Sequence, residues 1–168
     1  MERFTEKVVL VTGGNSGIGL AIAQRFAREG AQLVLVGRDL IKGEAAASKV
    51  KALGAACEFL QIDLRSEESV KDVVEQLGRL DVLVNNAGLG TRRTDTKLDD
   101  TPGIRWDRWR GSNLDATYYM TAYCMPLLKK SCGSVINISS TASMHSNWGL
   151  YGVAKAGVEA LTRSFAAE

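Results

Sequence analysis

The chain has 168 residues, 45% apolar and 24% charged, which is enough for one domain with a real core and too few for two of ordinary size. A net charge of +2 leaves no electrostatic footprint for nucleic acid or an anionic membrane, and no apolar run approaches membrane-spanning length. Three widely separated cysteines (Cys57, Cys124, Cys132) lack metal-ligand spacing and read as free thiols of a reducing, cytoplasmic compartment.

Residues 1–7 lead directly into a strand-like run without the layout of a signal peptide. Residues 7–11 form a β-rich first strand that ends at Thr12-Gly13-Gly14. Residues 20–29 then place Leu20, Ala23 and Ala27, with Ile22 and Phe26 offset, on one helical face closed by Gly30. Residues 33–36 read as strand two, 41–53 as an Ala- and Lys-rich helix stopped by Gly54, and 58–64 as strand three. Ser66-Glu67-Glu68-Ser69 supplies capping residues for a helix through residue 77. Residues 82–84 and 135–138 are strands four and five. Between them lie a polar loop, 88–103, and a helix, 106–130, with Pro126 marking a place for a bend. The segment from Tyr151 onward is helical again.

Continuous apolar strands, each separated by a helix, predict an α/β fold: a parallel sheet covered on both faces. Right-handed crossovers make that sheet doubly wound, with ligands at the carboxyl ends of its strands. Neither an internal repeat nor a low-complexity linker interrupts residues 1–168, which read as one domain.

After strand one comes Thr12-Gly13-Gly14-Asn15-Ser16-Gly17-Ile18-Gly19, running straight into a helix. Small residues there let the backbone approach a pyrophosphate lying against the helix N-terminus. A P-loop is disfavoured, because Leu20-Ala21 stand where Lys-Ser/Thr is needed. A glycine cluster alone also fits a tight turn with no ligand. Beyond strand two, Gly37 and Arg38 precede Asp39. Arg38 offers a planar fork for a 2′-phosphate and Gly37 leaves room for it, so NADP(H) is favoured over NAD(H). Asp39 either swings toward a ribose or caps the next helix.

Tyr151 and Lys155 stand four apart on one helical face. A lysine ammonium beside a phenol favours the phenolate, which suits a proton shuttle, and it can also hydrogen-bond a nicotinamide ribose. Ser139 and Ser140 follow strand five. Each feature alone is ordinary; together they lie where a cofactor bound at strand one would extend its nicotinamide. His145 is the only histidine, and no Gly-x-Ser-x-Gly elbow supports a Ser-His-Asp hydrolase.

With these motifs assembled, the sequence resembles the short-chain dehydrogenase/reductase family from about residue 7 to its end. The matches are Thr12 to Gly19, Asn85-Asn86-Ala87-Gly88 and the Tyr151/Lys155 pair. The resemblance implies a Rossmann fold and hydride transfer between NADP(H) and an alcohol or carbonyl. It implies Tyr151 as general acid/base, and Lys155 as the cation that supports it and anchors the ribose. Ser140, rather than Ser139, becomes the serine that orients the substrate oxygen. Asn113, within Trp106-Asp107-(x)5-Asn113-Leu114, becomes the asparagine that helps hold a relay water. For the cofactor it implies Gly13, Asn15, Ser16, Gly17, Ile18 and Gly19 around the pyrophosphate. Asp63 and Leu64 fall at the adenine, and Asn86, Ala87 and Gly88 beside the adenosine ribose.

Two departures from the family pattern stand out. The segment from Ser140 to Tyr151 is about two residues short, and its Met144, His145 and Trp148 either shape a substrate pocket or pack within the loop. The chain also ends without the two further strands of the family, and its last helix lacks a basic C-terminal turn. That leaves about five strands and predicts an exposed edge at strand five. The reading is a truncated enzyme or a short natural homologue. The partners implied are a small-molecule alcohol or carbonyl and, in the full-length form, further copies of the chain joined through the Asn113 and Tyr151 helices. A catalytically silent dinucleotide-binding module is the alternative.

Overall fold

The computed structural model describes residues 2–90 and 100–168. Most of the expected polar loop at 88–103 therefore lies outside the described residues.

Five strands, β1 (Val8–Thr12), β2 (Gln32–Gly37), β3 (Cys57–Gln61), β4 (Val82–Asn85) and β5 (Ser134–Asn137), form one sheet in the order β3-β2-β1-β4-β5. Every pairing is parallel, with Val9 opposite Leu33 on one side and Val82 on the other. The strand order reverses direction between β1 and β4, and side elements diverge there to leave a crevice at the carboxyl ends.

Alternation along the strands explains their uninterrupted apolar runs. Leu10, Val34, Val36 and Leu83 face a layer made by α3 (Glu67–Glu75) and α5 (Ala116–Ser131), where Val70, Val74, Met120 and Cys124 complete the core. Val9, Val11, Leu33, Leu35 and Val84 face α1 (Gly17–Ala27) and α2 (Leu40–Lys51), whose Ala23, Ala27, Ala46 and Ala47 let those helices approach closely. Ser66 accepts from Ser69 N at 3.2 Å and so caps α3 as its sequence predicts.

Two boundaries differ from expectation in ways that matter. The helix expected over 106–130 is three pieces: α4 (Pro102–Arg110), a π-helical turn (Gly111–Asp115) and α5. The irregularity sits at Asn113 rather than at Pro126, which lies exposed within α5 without ending it. An extra residue in one turn rotates the side chains that follow, and such turns recur at functional positions. The last helix, α6 (Gly149–Phe165), ends early enough that Arg163 falls in its final turn, so a basic residue does meet its C-terminal dipole.

The sheet is not equally covered. α6 packs beside α5 and against β5 on one face. On the other face Ile136 remains 41% exposed above an apolar hollow shared with Phe4, Ile22 and Val84. Among the described residues β5 is therefore an edge strand with one open face.

Candidate active site

A cleft of about 860 Å³ runs across the carboxyl ends of β1, β2, β3 and β4. Its floor is built from backbone. Thr12 Oγ1 accepts from both Asn86 N and Ala87 N at 2.9 Å, and Asn86 Nδ2 returns a bond to Thr12 O at 3.0 Å. These bonds tie the turn after β1 to the turn after β4. Gly13 takes a positive φ of 64°, and a β-carbon on Gly19 would overlap Gly13 O and lie 2.5 Å from Asn86 Nδ2. Gly19 thus serves by close packing behind the cleft, while Gly13, Asn15, Ser16, Gly17 and Ile18 line it. Ser16 adopts the extended N-cap conformation without a side-chain cap bond, so the first amides of α1 keep no side-chain acceptor. This is a cradle shaped for an anionic group at a helix N-terminus, and its volume and glycine walls fit a dinucleotide.

The next wall carries charge. Asp39 Oδ1 accepts from Lys42 N at 3.0 Å, and Oδ2 pairs with Lys42 Nζ at 3.0 Å. The Lys42 amide and then its ammonium hold the Asp39 carboxyl below its ordinary value. Of the two roles open to Asp39, the structure has it as the cap of α2. Arg38 is exposed on the cleft wall, and its guanidinium makes no ion pair with a described residue.

Asp63 lies two residues beyond the end of β3 rather than closing it, because the ladder gives way after Ile62 N donates to Gly37 O. Arg65 binds Asp63 through its guanidinium at 2.6 Å and its amide at 3.1 Å, and these bonds hold the carboxyl low. Leu64 is buried at the same wall, and Asn86, Ala87 and Gly88 line the opposite side. Lys42 and Arg65 also line the cleft, and sequence reasoning passed over both. Their positions beside Asp39 and Asp63 were the available signal.

At one end of the cleft the polar side chains converge. Asn113 is fully buried in the π-helical turn; its Nδ2 donates to Trp109 O at 3.1 Å, while its Oδ1 has no partner among the described residues. A β-carbon at Gly88 would lie 2.5 Å from that Oδ1 and 3.8 Å from Lys155 Nζ, so only a glycine leaves room between them. Lys155 is buried, donates from Nζ to Ile138 O at 2.7 Å, and has its pKa lowered by burial. Its Nζ stands 5.9 Å from the Tyr151 ring centre, and the Trp109 ring meets Tyr151 edge-on at 6.0 Å.

Ser139 and Ser140 follow β5 on a turn that packs against the same helix. A β-carbon on Gly152, next to Tyr151, would lie 2.7 Å from Ala142 O. The two serines differ in engagement. Ser139 Oγ donates to Glu159 at 2.7 Å, whereas Ser140 Oγ accepts from Ala142 N at 3.2 Å and keeps its own proton uncommitted to a described residue. Met144, His145 and Trp148 are all exposed, and none of them lines the cleft at the strand ends.

The comparisons with known proteins meet this geometry. Residues 7–168 match the family model for the short chain dehydrogenase. The chain belongs to that family. Over its whole length this short-chain dehydrogenase is 36% identical to a 3beta-hydroxysteroid dehydrogenase of Mediterraneibacter gnavus, covering 62% of that enzyme. It is also 36% identical to a meso-2,3-butanediol dehydrogenase of Serratia marcescens, matching 98% of this chain and 66% of the relative. The solved L-sorbose reductase of Gluconobacter frateurii, complexed with NADPH and L-sorbose, superposes with a TM-score of 0.89 at 30% identity, over 99% of this chain and 66% of that one. The chain thus spans about two thirds of the length of these relatives.

Proposed function

We propose that the chain carries the NADP(H)-binding and proton-transfer apparatus of an enzyme interconverting a small alcohol and its carbonyl. The observation that carries this reading is the convergence of Asn113 and Lys155 around Gly88 at one end of the dinucleotide cleft, with the Tyr151 ring beside Lys155. When bound there, a nicotinamide dinucleotide supplies or accepts the hydride. In the reducing direction Tyr151 donates its phenolic proton to the substrate oxygen as the carbonyl carbon is reduced, and Ser140 hydrogen-bonds that oxygen. Lys155 favours the resulting phenolate by its charge and reaches the ribose. The buried Oδ1 of Asn113, unpartnered among the described residues, supports a role in holding a water that returns the proton, since buried acceptors are rarely left without a partner.

Arg38 supports the phosphate preference, as does the capping of Asp39, which withdraws the nearest carboxylate from a ribose 2′-hydroxyl. The NADPH complex of the sorbose reductase points the same way. Relatives named for a steroid, a diol and a sugar support a small-molecule alcohol or carbonyl as the substrate class. Self-association through α5 and α6 is supported by Tyr118, 47% exposed beside Phe165 on that face. A reducing, cytoplasmic setting is supported by cysteines that form no disulfide, with burial pushing Cys57 up to about 11 and Cys124 up to about 12. No helix among the described residues is long and apolar enough to cross a membrane.

The test combines titration calorimetry of NADPH and NADH with absorbance-monitored turnover of butane-2,3-dione and a ketone panel. Tighter NADPH binding and measurable reduction are the expected result. Tighter NADH binding overturns the cofactor assignment. Intact binding with no turnover across the panel favours the silent module instead.

A further inference from the structure

Between Lys155 and the end of α6, one carboxylate has partners that the reaction outlined above does not use. Glu159 lies on α6, one turn beyond Lys155 and two turns beyond Tyr151. Its Oε1 accepts from Ser139 Oγ at 2.7 Å and from Ser143 Oγ at 2.6 Å. Ser143 Oγ also lies 2.8 Å from Ser140 O, and Ser143 N donates to the same carbonyl at 3.0 Å. The turn carrying Ser140 is therefore gripped on both sides of that residue.

We infer that Glu159 is a positioning residue that sets Ser140 in register with Tyr151 by clamping the turn after β5 onto α6. The inference rests on the proposed joint action of Ser140 and Tyr151. Three features of the local geometry support it. The clamp has two rungs on successive helical turns: Lys155 Nζ on Ile138 O at 2.7 Å, then Glu159 on Ser139 and Ser143. About one turn before Lys155, Gly152 brings the helix close enough that a side chain would strike Ala142 O. Finally, Glu159 consumes the hydroxyl proton of Ser139 and leaves that of Ser140 free to meet a substrate oxygen. The hydroxyls of Ser143 and Ser139, together with the charge of Arg163, keep the Glu159 carboxyl ionised well below neutrality, so its acceptor lone pairs are available throughout the working range.

A carboxylate accepting two hydroxyl protons restrains a turn strongly, and its removal lets Ser140 drift. A misplacement of about 1 Å at a reacting centre is enough to cost ~100-fold in rate. Glutamine keeps an acceptor oxygen at the same position; leucine keeps the bulk and none of the bonding.

The chain is prepared with Glu159→Leu, Glu159→Gln and, should the leucine variant misfold, Ser143→Ala. Amide hydrogen exchange over residues 138–144 is read alongside NADPH affinity and the reduction of butane-2,3-dione. Glu159→Leu, or Ser143→Ala in its place, is expected to speed exchange in that segment by about 10-fold or more, while Glu159→Gln stays within about threefold of the parent. NADPH affinity stays within about twofold in all variants, because the dinucleotide cradle shares no bond with Glu159. For turnover, kcat falls ~10–100-fold with leucine and is largely rescued by glutamine. Unchanged exchange in the leucine and alanine variants overturns the clamp, as does glutamine proving as damaging as leucine. A parent that does not reduce the diketone sinks the proposed reaction for that substrate, and the exchange comparison still decides the clamp.

Discussion

β2 and β5 run parallel in the same sheet, yet they are held by different forces. From Leu33 to Gly37, β2 is buried between two helical layers, and it ends at the cleft wall in backbone and the exposed Arg38. β5 has Ser134 and Ile136 exposed; of its inward residues Val135 packs on the core, whereas Asn137 joins a polar network: Asn85 Nδ2 donates to Asn137 Oδ1 at 2.8 Å and Thr121 Oγ1 at 2.9 Å, while Asn137 Nδ2 donates to Thr162 Oγ1 at 2.8 Å. Dispersion and burial seal the nucleotide side without regard to direction. Directed hydrogen bonds fix the proton-transfer side, where a side chain must point at one place.

Substitutions can break this contrast, beginning with the largest effect. Tyr151→Phe should lower turnover by ~10²–10⁴-fold while NADPH affinity, read by calorimetry, changes less than about twofold. A parallel loss of binding would show that the two sides are not separable. Gly19→Ala should act in the opposite manner, forcing apart Gly13 O and Asn86. It is expected to destabilise the fold by about 1–3 kcal/mol in urea titration and to weaken both cofactors together. A wild-type melting curve would mean that the turn can yield without cost.

Arg38→Ala sharpens the comparison within the nucleotide side. NADPH affinity should drop ~10–100-fold with NADH affinity unchanged, the worth of a charge-assisted contact to phosphate. Equal loss of both cofactors would move Arg38 to a general electrostatic role.

The smallest effect lies at the far end of the sheet. Asp81 is 4% exposed and accepts from Lys7 Nζ at 3.0 Å, Arg79 Nε at 2.8 Å and Val8 N at 3.0 Å. Arg79 above all, with Val8 N and Lys7, holds its carboxyl well below the usual carboxylate range. The stability it contributes is thus present above an unfolded-state value of about 4 and lost as the pH falls through the depressed folded value. Asp81→Asn should cost about 1–2 kcal/mol at pH 7, discounted for the half-exposed cations, with the gap closing below pH ~4. A gap of equal size at pH 3 and pH 7 would contradict that linkage.

Much of the fold was legible because its signals are local. The apolar run of β1, the glycines after it and the Tyr151/Lys155 spacing each act within a few residues, so the parallel sheet and the place of the cleft at its carboxyl ends follow from them. Helix ends were legible where a side chain caps its own helix, as Ser66 does. The π-helical turn at Asn113 was not, because nothing in residues 106–130 distinguishes it from continuous helix. The packing of Asn113 beside Gly88 and Lys155 selects it. Likewise Pro126 suggested a bend that the helix does not need on its exposed side.

By itself, the sequence determined the parallel sheet and the glycine-lined turn at its carboxyl end, and it singled out the Tyr151/Lys155 pair, since all three are written in short-range spacing. Only the tertiary structure decided how these parts engage. Asp39 could swing or cap until Lys42 was seen to hold it. Ser139 and Ser140 were neighbours of equal chemistry until Glu159, 20 residues further along the chain from Ser139, took the first hydroxyl. The reason is physical: backbone preference acts over one turn, but a hydrogen bond is assigned to whichever donor the packing of β5 on α6 brings within reach.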